Sequence, residues 1–307
     1  MTPLRRALRD YLALRRSVGF KLETAGHLLP KFVEYLDRRR APRITCELAL
    51  AWAMLPPGKR GLWAVRLSIV RGFARFLHAR DPRTVIPPLD LLPQRRWRAT
   101  PYLYSQAEIA ALVRAAETLR PPLMGATYST VIGLLAATGM RRGEVIALDR
   151  DDIDWQQGIV LVRNSKFGKS RELPLHLSTL DALRDYAGIR DRLWPRSATR
   201  SFFVSLAGTR LLDHRVHKVF RQLTRLLGIV PPAPQCRPRI HDLRHSFAVR
   251  TLLDWYRSGA DVERKLPLLS TYLGHFDPTS TYWYLSAAPE LLSLAARRLQ
   301  RAWEARP

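Results

Sequence analysis

Two imidazoles, a guanidinium and a phenol follow one another in the last quarter of the chain. His241 and Arg244 stand in His241-Asp242-Leu243-Arg244-His245, His275 follows Leu273-Gly274, and Tyr284 comes next. Upstream, Arg141 lies in Thr138-Gly139-Met140-Arg141-Arg142-Gly143-Glu144, and Lys166 in Ser165-Lys166-Phe167-Gly168-Lys169. These residue types meet the demands of phosphodiester cleavage by a protein side chain. Negative charge building on the nonbridging oxygens needs fixed donors. The attacking oxygen must be positioned and lose a proton, and the leaving 5′ oxygen must gain one. The planar fork of arginine meets phosphate with two parallel hydrogen bonds, so Arg141 and Arg244 are candidate clamps. Lys166 is a candidate proton donor. Tyr272, Tyr282 and Tyr284 all lie near His275; a free phenol has a pKa of about 10, so nearby cations must help it ionise.

Other readings of the same residues fail on spacing. His241 and His245 stand four apart, but the zinc reading lacks the glutamate and the third ligand. Gly168-Lys169-Ser170 mimics the end of a nucleotide-binding loop, yet Arg163 occupies the position where that loop needs a glycine. No metal and no cofactor is therefore expected. His241 and Arg244, three apart on the opening turn of a helix, share a face. His245, one step on, points elsewhere and is expected to pack or cap.

The elements that must hold these groups are mainly helical. Apolar residues recur at helical spacing over 4–18, 28–40 and 63–79, and Thr45 can cap a helix over 46–55 that Pro56-Pro57-Gly58 stops. The last of these helices alternates Val65, Ile69, Phe73 and Phe76 with Arg66, Arg71 and Arg75, which predicts one apolar face and one arginine face. Residues 1–82 thus form a first, all-helical domain. Residues 83–102, rich in proline and ending in Arg95-Arg96-Trp97-Arg98, read as a stiff basic linker. Ser105-Gln106-Ala107-Glu108 is a capping box that opens the second domain, residues 103–307. There, 159–162 and 172–175 read as an antiparallel strand pair around a basic hairpin, and Phe202-Phe203-Val204 as a third strand. Helices are predicted over 215–227, 244–255, 265–273 and 289–303. The fold class is mainly α: a helical bundle, then a mostly helical domain with a small antiparallel sheet.

Charge points to the partner. The chain of 307 residues carries a formal net charge of +25, and such a surface attracts a polyanion because lysine and arginine release counterions from a phosphate backbone. Residues 1–100 hold 21 Lys and Arg against 7 Asp and Glu, so the first third is the denser basic surface. Cys46 and Cys236 are the only cysteines and neither forms a C-x-x-C pair, which excludes a disulfide framework and a thiol zinc ribbon. The N-terminus has no signal-peptide apolar core. The most apolar run, 131–140, is about half a membrane span and reads as a buried helix. A cytoplasmic protein without membrane attachment is expected.

At these motifs the chain resembles the tyrosine recombinase (phage integrase) family. Thr138-Gly139-Met140-Arg141 and the following Glu144-Val-Ile-Ala-Leu are similar to the family's first arginine motif, with Glu144 orienting the turn. The run from Lys166 through Lys169, Arg171 and Pro174 is similar to its β-hairpin, and His241 to Arg244 and Leu273-Gly274-His275 to its later motifs. Arg142 stands where a smaller or apolar residue is commoner, and Ser165 and Phe167 flank Lys166 in place of glycines. The resemblance implies that Tyr284, nine residues after His275, is the nucleophile and that Tyr282 merely packs. It implies Arg141, Arg244 and His275 as phosphate ligands, His241 as a proton-transfer group and Lys166 as general acid. It further implies a SAM-like core-binding bundle, a catalytic domain, double-stranded DNA as substrate, and a homotetramer on DNA, possibly with a related recombinase. An extra N-terminal arm domain is not expected from the length, which leans toward a simple-site or transposon-type enzyme. A type IB topoisomerase-like relaxing enzyme and a catalytically inactive DNA-binding protein are the alternatives.

Overall fold

The computed structural model describes residues 2–55, 57, 60–92, 100–163, 170–195, 199–231, 233, 236–275, 277, 279–287 and 289–304. It divides into two compact units, Met1–Arg98 and Ala99–Pro307.

The first unit is built from α1 (Pro3–Ser17), α2 (Glu23–Arg38), α3 (Cys46–Met54) and α4 (Arg60–His78). Local chemistry sets their starts: Pro3 opens α1 behind the Thr2 cap, and the Thr45 hydroxyl accepts from the Leu48 amide at 3.2 Å. Their apolar stripes close over Leu29, Phe32, Trp52 and Phe73, with the Phe32 and Trp52 rings 5.0 Å apart. The expected arginine face of α4 is not wholly solvated. Arg66 and Arg71 are buried, whereas Val65 of the expected apolar face is exposed. Arg66 lies 3.6 Å above the Trp52 ring and donates to the Trp52 carbonyl; Arg71 donates to the carbonyls of Pro87 and Pro88 at 2.7 and 2.6 Å. A guanidinium is weakly hydrated on its flat faces and rich in donors at its edge, so it stacks on a ring while satisfying stray carbonyls.

The segment expected as a linker divides between the units. Val85 donates to the Ile44 carbonyl and Leu92 enters the first core. Tyr102 and Tyr104 belong to the core of the second unit. Residues 93–99, which include the Arg95–Arg98 run, lie outside the described residues.

The second unit begins with α5 (Gln106–Glu117), opened by the capping box of Ser105 and Glu108. It continues through α6 (Pro122–Thr138), α7 (Arg142–Ala147), a short 3-10 turn and the antiparallel strands β1 (Ile153–Asp154), β2 (Ile159–Val162) and β3 (Arg171–Pro174). In the sheet, Val160 faces both Ile153 and Leu173. Then come α8 (Leu177–Leu193), α9 (Asp213–Leu226), α10 (Asp242–Arg257), α11 (Val262–Leu273), α12 (Thr279–Ala287) and α13 (Pro289–Glu304). The mostly helical class and the strand pair agree with the sequence. The third strand does not: it is Ile153–Asp154, while Phe202 to Val204 make no strand. Ser201 and Val204 form only isolated bridges, to Asp149 and Arg210, because the chain doubles back through a tight turn at 205–209. Phe202 and Phe203 instead pack edge-on to each other, 4.9 Å apart, beside Tyr186. The central helix α6 buries most of its residues, among them Val131, Leu134 and Leu135, and carries the end that the candidate site is built on.

Candidate active site

Two helices end in the same place. α6 stops at Gly139 (φ +61°) and α11 at Gly274 (φ +67°), both in the left-handed conformation that glycine adopts without strain. Their terminal carbonyls have no partner within the helix. Arg244, on the first turn of α10, donates from Nη1 to the Gly139 carbonyl at 2.8 Å and from Nη2 to the Leu273 carbonyl at 2.7 Å. Arg141, the N-cap of α7, donates from Nη2 to the Gly274 carbonyl at 2.6 Å. Two residues distant in sequence are thus drawn together by the same pair of helix ends.

A single carboxylate sets the other side. Glu144 accepts from the Arg141 amide (2.9 Å), from Arg141 Nη1 (2.8 Å) and from both Nη atoms of Arg171 on β3 (3.1 and 2.8 Å). Arg171 Nε donates to the Tyr272 carbonyl at 2.8 Å. Burial by itself would raise the Glu144 pKa; the hydrogen bonds and charge of Arg171, then of Arg141, outweigh it and hold the carboxyl at about 2. Glu144 therefore orients the first arginine, as its position suggested, and ties it to the hairpin strand. Close packing leaves no room for a side chain at Gly274: a Cβ there would meet Arg171 Nη1 at 2.9 Å and Arg141 Nη1 at 3.4 Å.

Cationic surroundings tune the neighbouring groups. Burial, followed by the charges of Arg244, Arg239, Arg141 and Arg142, pushes His241 down to about 4, so it is a neutral imidazole at pH 7. Burial, then Arg141, lowers Arg244 to about 10, and it remains charged there. Arg142 points away from this cluster: its Nε and Nη2 bind Asp213 at 2.6 and 2.8 Å, and Nη1 contacts His217.

The phenol is enclosed. Tyr284, on α12, is 2% exposed, and Tyr282 is 54% exposed, so Tyr282 is not the packed residue that the sequence suggested. Two positions apart, about 200° around a helix, the pair must face opposite ways. His275, whose Nδ1 meets the buried Thr281 hydroxyl at 2.7 Å, lies nearly parallel to the Tyr284 ring at 6.1 Å between centroids. His245 also touches the phenol: its Nδ1 lies 3.2 Å from Tyr284 Oη. The expectation that His245 only packs or caps is overturned. The turn of about 100° from Arg244 aims it at α12.

Arg141, Arg244, His241, His275 and Tyr284 are thereby assembled in one locality, as donors on one hand and an enclosed phenol on the other. Lys166 lies outside the described residues, as does the rest of the hairpin turn over 164–169. Arg171 and His245 escaped the sequence reading. The charge of Arg171 was visible in the hairpin run; its acceptors, a carboxylate 27 residues away and a backbone carbonyl, were not. Among the described residues no His, Cys, Asp or Glu cluster could hold a metal ion, and no helix is long and apolar enough to cross a membrane.

Comparison with known proteins places this architecture. The model of the phage integrase family matches residues 103–290. The integrase/recombinase y4rB of Sinorhizobium fredii is 44% identical over 313 residues, covering 100% of both chains. The crystal structure of XerA recombinase covers 99% of this chain and 98% of its own, at 23% identity and a TM-score of 0.53. The Tn1549 transposon integrase in complex with transposon right end DNA covers 98% and 99% at 16% identity, with a TM-score of 0.64.

Proposed function

The chain belongs to the phage integrase family of tyrosine recombinases, and from that premise we propose the chemistry of its individual residues. It is a site-specific recombinase, an enzyme that breaks and rejoins DNA strands; the family match and the 44% identical relative favour this over a topoisomerase-like relaxing activity. Tyr284 Oη attacks the scissile phosphorus and becomes joined to the 3′ phosphate as the bond to the 5′ oxygen breaks. Arg141, Arg244 and His275 hold the nonbridging oxygens, where charge builds in the transition state. His241, held neutral by burial and by its cationic neighbours, assists the departure of the phenol proton. Lys166 gives a proton to the leaving 5′ oxygen. The phosphotyrosine conserves the bond energy, so religation to a new 5′ end requires neither nucleotide nor metal.

The observation that carries this reading is the convergence of Arg141 and Arg244 on the ends of α6 and α11 beside an enclosed Tyr284. The first unit, into which residues 83–92 pack, serves as the core-binding domain and the second as the catalytic domain, and both bind duplex DNA in the cytoplasm. Exchange between two sites proceeds in a homotetramer, with α13 packing on a neighbouring subunit. A nicked, labelled duplex from the DNA flanking the gene, whose short 5′ fragment diffuses away after cleavage, tests the chemistry. An SDS-resistant adduct that maps to Tyr284 by mass spectrometry, formed without magnesium or ATP, is expected. An adduct on Tyr282 would overturn the nucleophile assignment.

A further inference from the structure

The nucleophile's oxygen is held by a residue outside the six candidates. His245 follows Arg244 directly on α10, and its Nδ1 lies 3.2 Å from Tyr284 Oη. The imidazole is itself fixed on two sides. It stands edge-on to His241 at 4.9 Å and edge-on to Trp283 at 5.3 Å, with the Tyr284 ring at 5.4 Å. Its neighbours therefore come from the N-cap of α10 and from α12, the helices that carry Arg244 and Tyr284.

We propose that His245 is a positioning residue for the nucleophile: it hydrogen-bonds the Tyr284 hydroxyl and registers that oxygen against the Arg244 clamp one residue before it. The phenol donates to Nδ1 when the imidazole proton is on Nε2, and accepts from Nδ1–H in the other tautomer; both place the oxygen at the same point. The need for such a contact is geometric. In-line attack requires the oxygen within a few tenths of an ångström of its path, and a misplacement of about 1 Å costs on the order of a hundredfold in rate. Ring packing alone fixes the plane of a tyrosine, and a hydrogen bond at its tip fixes how far along that plane the oxygen stands. The inference rests on the reading of Tyr284 as nucleophile.

Two substitutions separate the hydrogen bond from packing. His245→Asn keeps a polar atom on Cγ, where Nδ1 sits; His245→Leu fills much of the space without one. The full-length proteins are compared on the nicked duplex for the rate of adduct formation in a single turnover and for DNA affinity. His245→Leu is expected to slow adduct formation about a hundredfold at unchanged affinity, and His245→Asn to recover most of the rate. A leucine variant as fast as wild type would overturn the proposal, as would leucine and asparagine variants that are equally slow while both bind DNA. Should the leucine variant fail to fold, His245→Ala read against His245→Asn gives the same contrast. Mapping the wild-type adduct keeps the two readings apart. An adduct elsewhere than Tyr284 removes the nucleophile assignment, whereas an adduct on Tyr284 with a fast leucine variant removes only the role of His245.

Discussion

Both units of this recombinase bury arginines, and in both the guanidinium edge is satisfied by backbone carbonyls. The buried Arg66 and Arg71 in the first unit bind the carbonyls of Trp52, Pro87 and Pro88; in the second, the buried Arg244 and the half-buried Arg141 bind those of Gly139, Leu273 and Gly274. Burial lowers the pKa of Arg66, Arg71 and Arg244 alike. What separates the two places is company. The first pair has an aromatic ring and a proline-rich segment without regular structure; the second has a carboxylate held at about 2, a histidine held neutral, and an enclosed phenol. A buried arginine by itself is a packing device. It becomes a candidate for catalysis when groups that can give or take protons are built into the same cluster.

The comparison can be broken by substitution. Tyr284→Phe should abolish the covalent adduct while leaving salt-sensitive DNA binding intact; any residual adduct would move the chemistry elsewhere. Arg141→Ala or Arg244→Ala should slow adduct formation by about a hundred- to a thousandfold, the usual loss for one donor to a developing oxyanion, as read in single-turnover cleavage.

Glu144 gives an acid signature. Its folded pKa of about 2 lies below its ordinary 4.5. Its contribution is therefore fully present above pH 4.5 and is lost as the pH falls toward 2, on the order of 3 kcal/mol over that window. Denaturant melts at several pH values should show Glu144→Gln flattening this part of the profile; an unchanged slope would mean that folding does not lower the pKa of this carboxyl. Arg66→Ala should destabilise the first unit by about 2 kcal/mol, the price of carbonyl and ring left without a partner, and leave cleavage by the folded fraction unaltered. A tenfold slower cleavage at unchanged stability would erase the distinction between the two pairs. Smallest of all, Tyr282→Phe should leave adduct formation at the wild-type rate, because this side chain faces solvent.

Legibility in the sequence follows the same divide. Arg141, His241, Arg244, His275 and Tyr284 could be located because type and spacing are sequence properties, and the helix caps at Thr45 and Ser105 likewise. The partners could not, since carbonyls of Gly139, Leu273 and Gly274 belong to every residue and become specific only where a helix ends. Arg66 and Arg71 looked solvated because periodicity counts them as polar, while stacking on Trp52 or meeting proline carbonyls depends on contacts made elsewhere in the chain. α6 gave a weak signal for a related reason: a helix without a single charged residue has no strongly polar face to set its period. The third strand failed because β1 has two residues, too few for an alternation to show. His245 was set aside by a sound rule, that residues one apart on a helix point apart, which says nothing about what waits in the second direction.

The glycine that ends α11 has a genetic consequence. At residue 274 the backbone lies in the left-handed region, and a Cβ would press on Arg171 and come within 3.4 Å of Arg141. Every substitution is therefore penalised twice, once by conformation and once by displacing Arg171. In a saturation screen for recombination, this position should behave like a member of the active site although it has no side chain to contribute. Libraries built to retarget the enzyme to new DNA sequences would waste their diversity there, and a suppressor of a Gly274 substitution should arise at Arg171 before anywhere else.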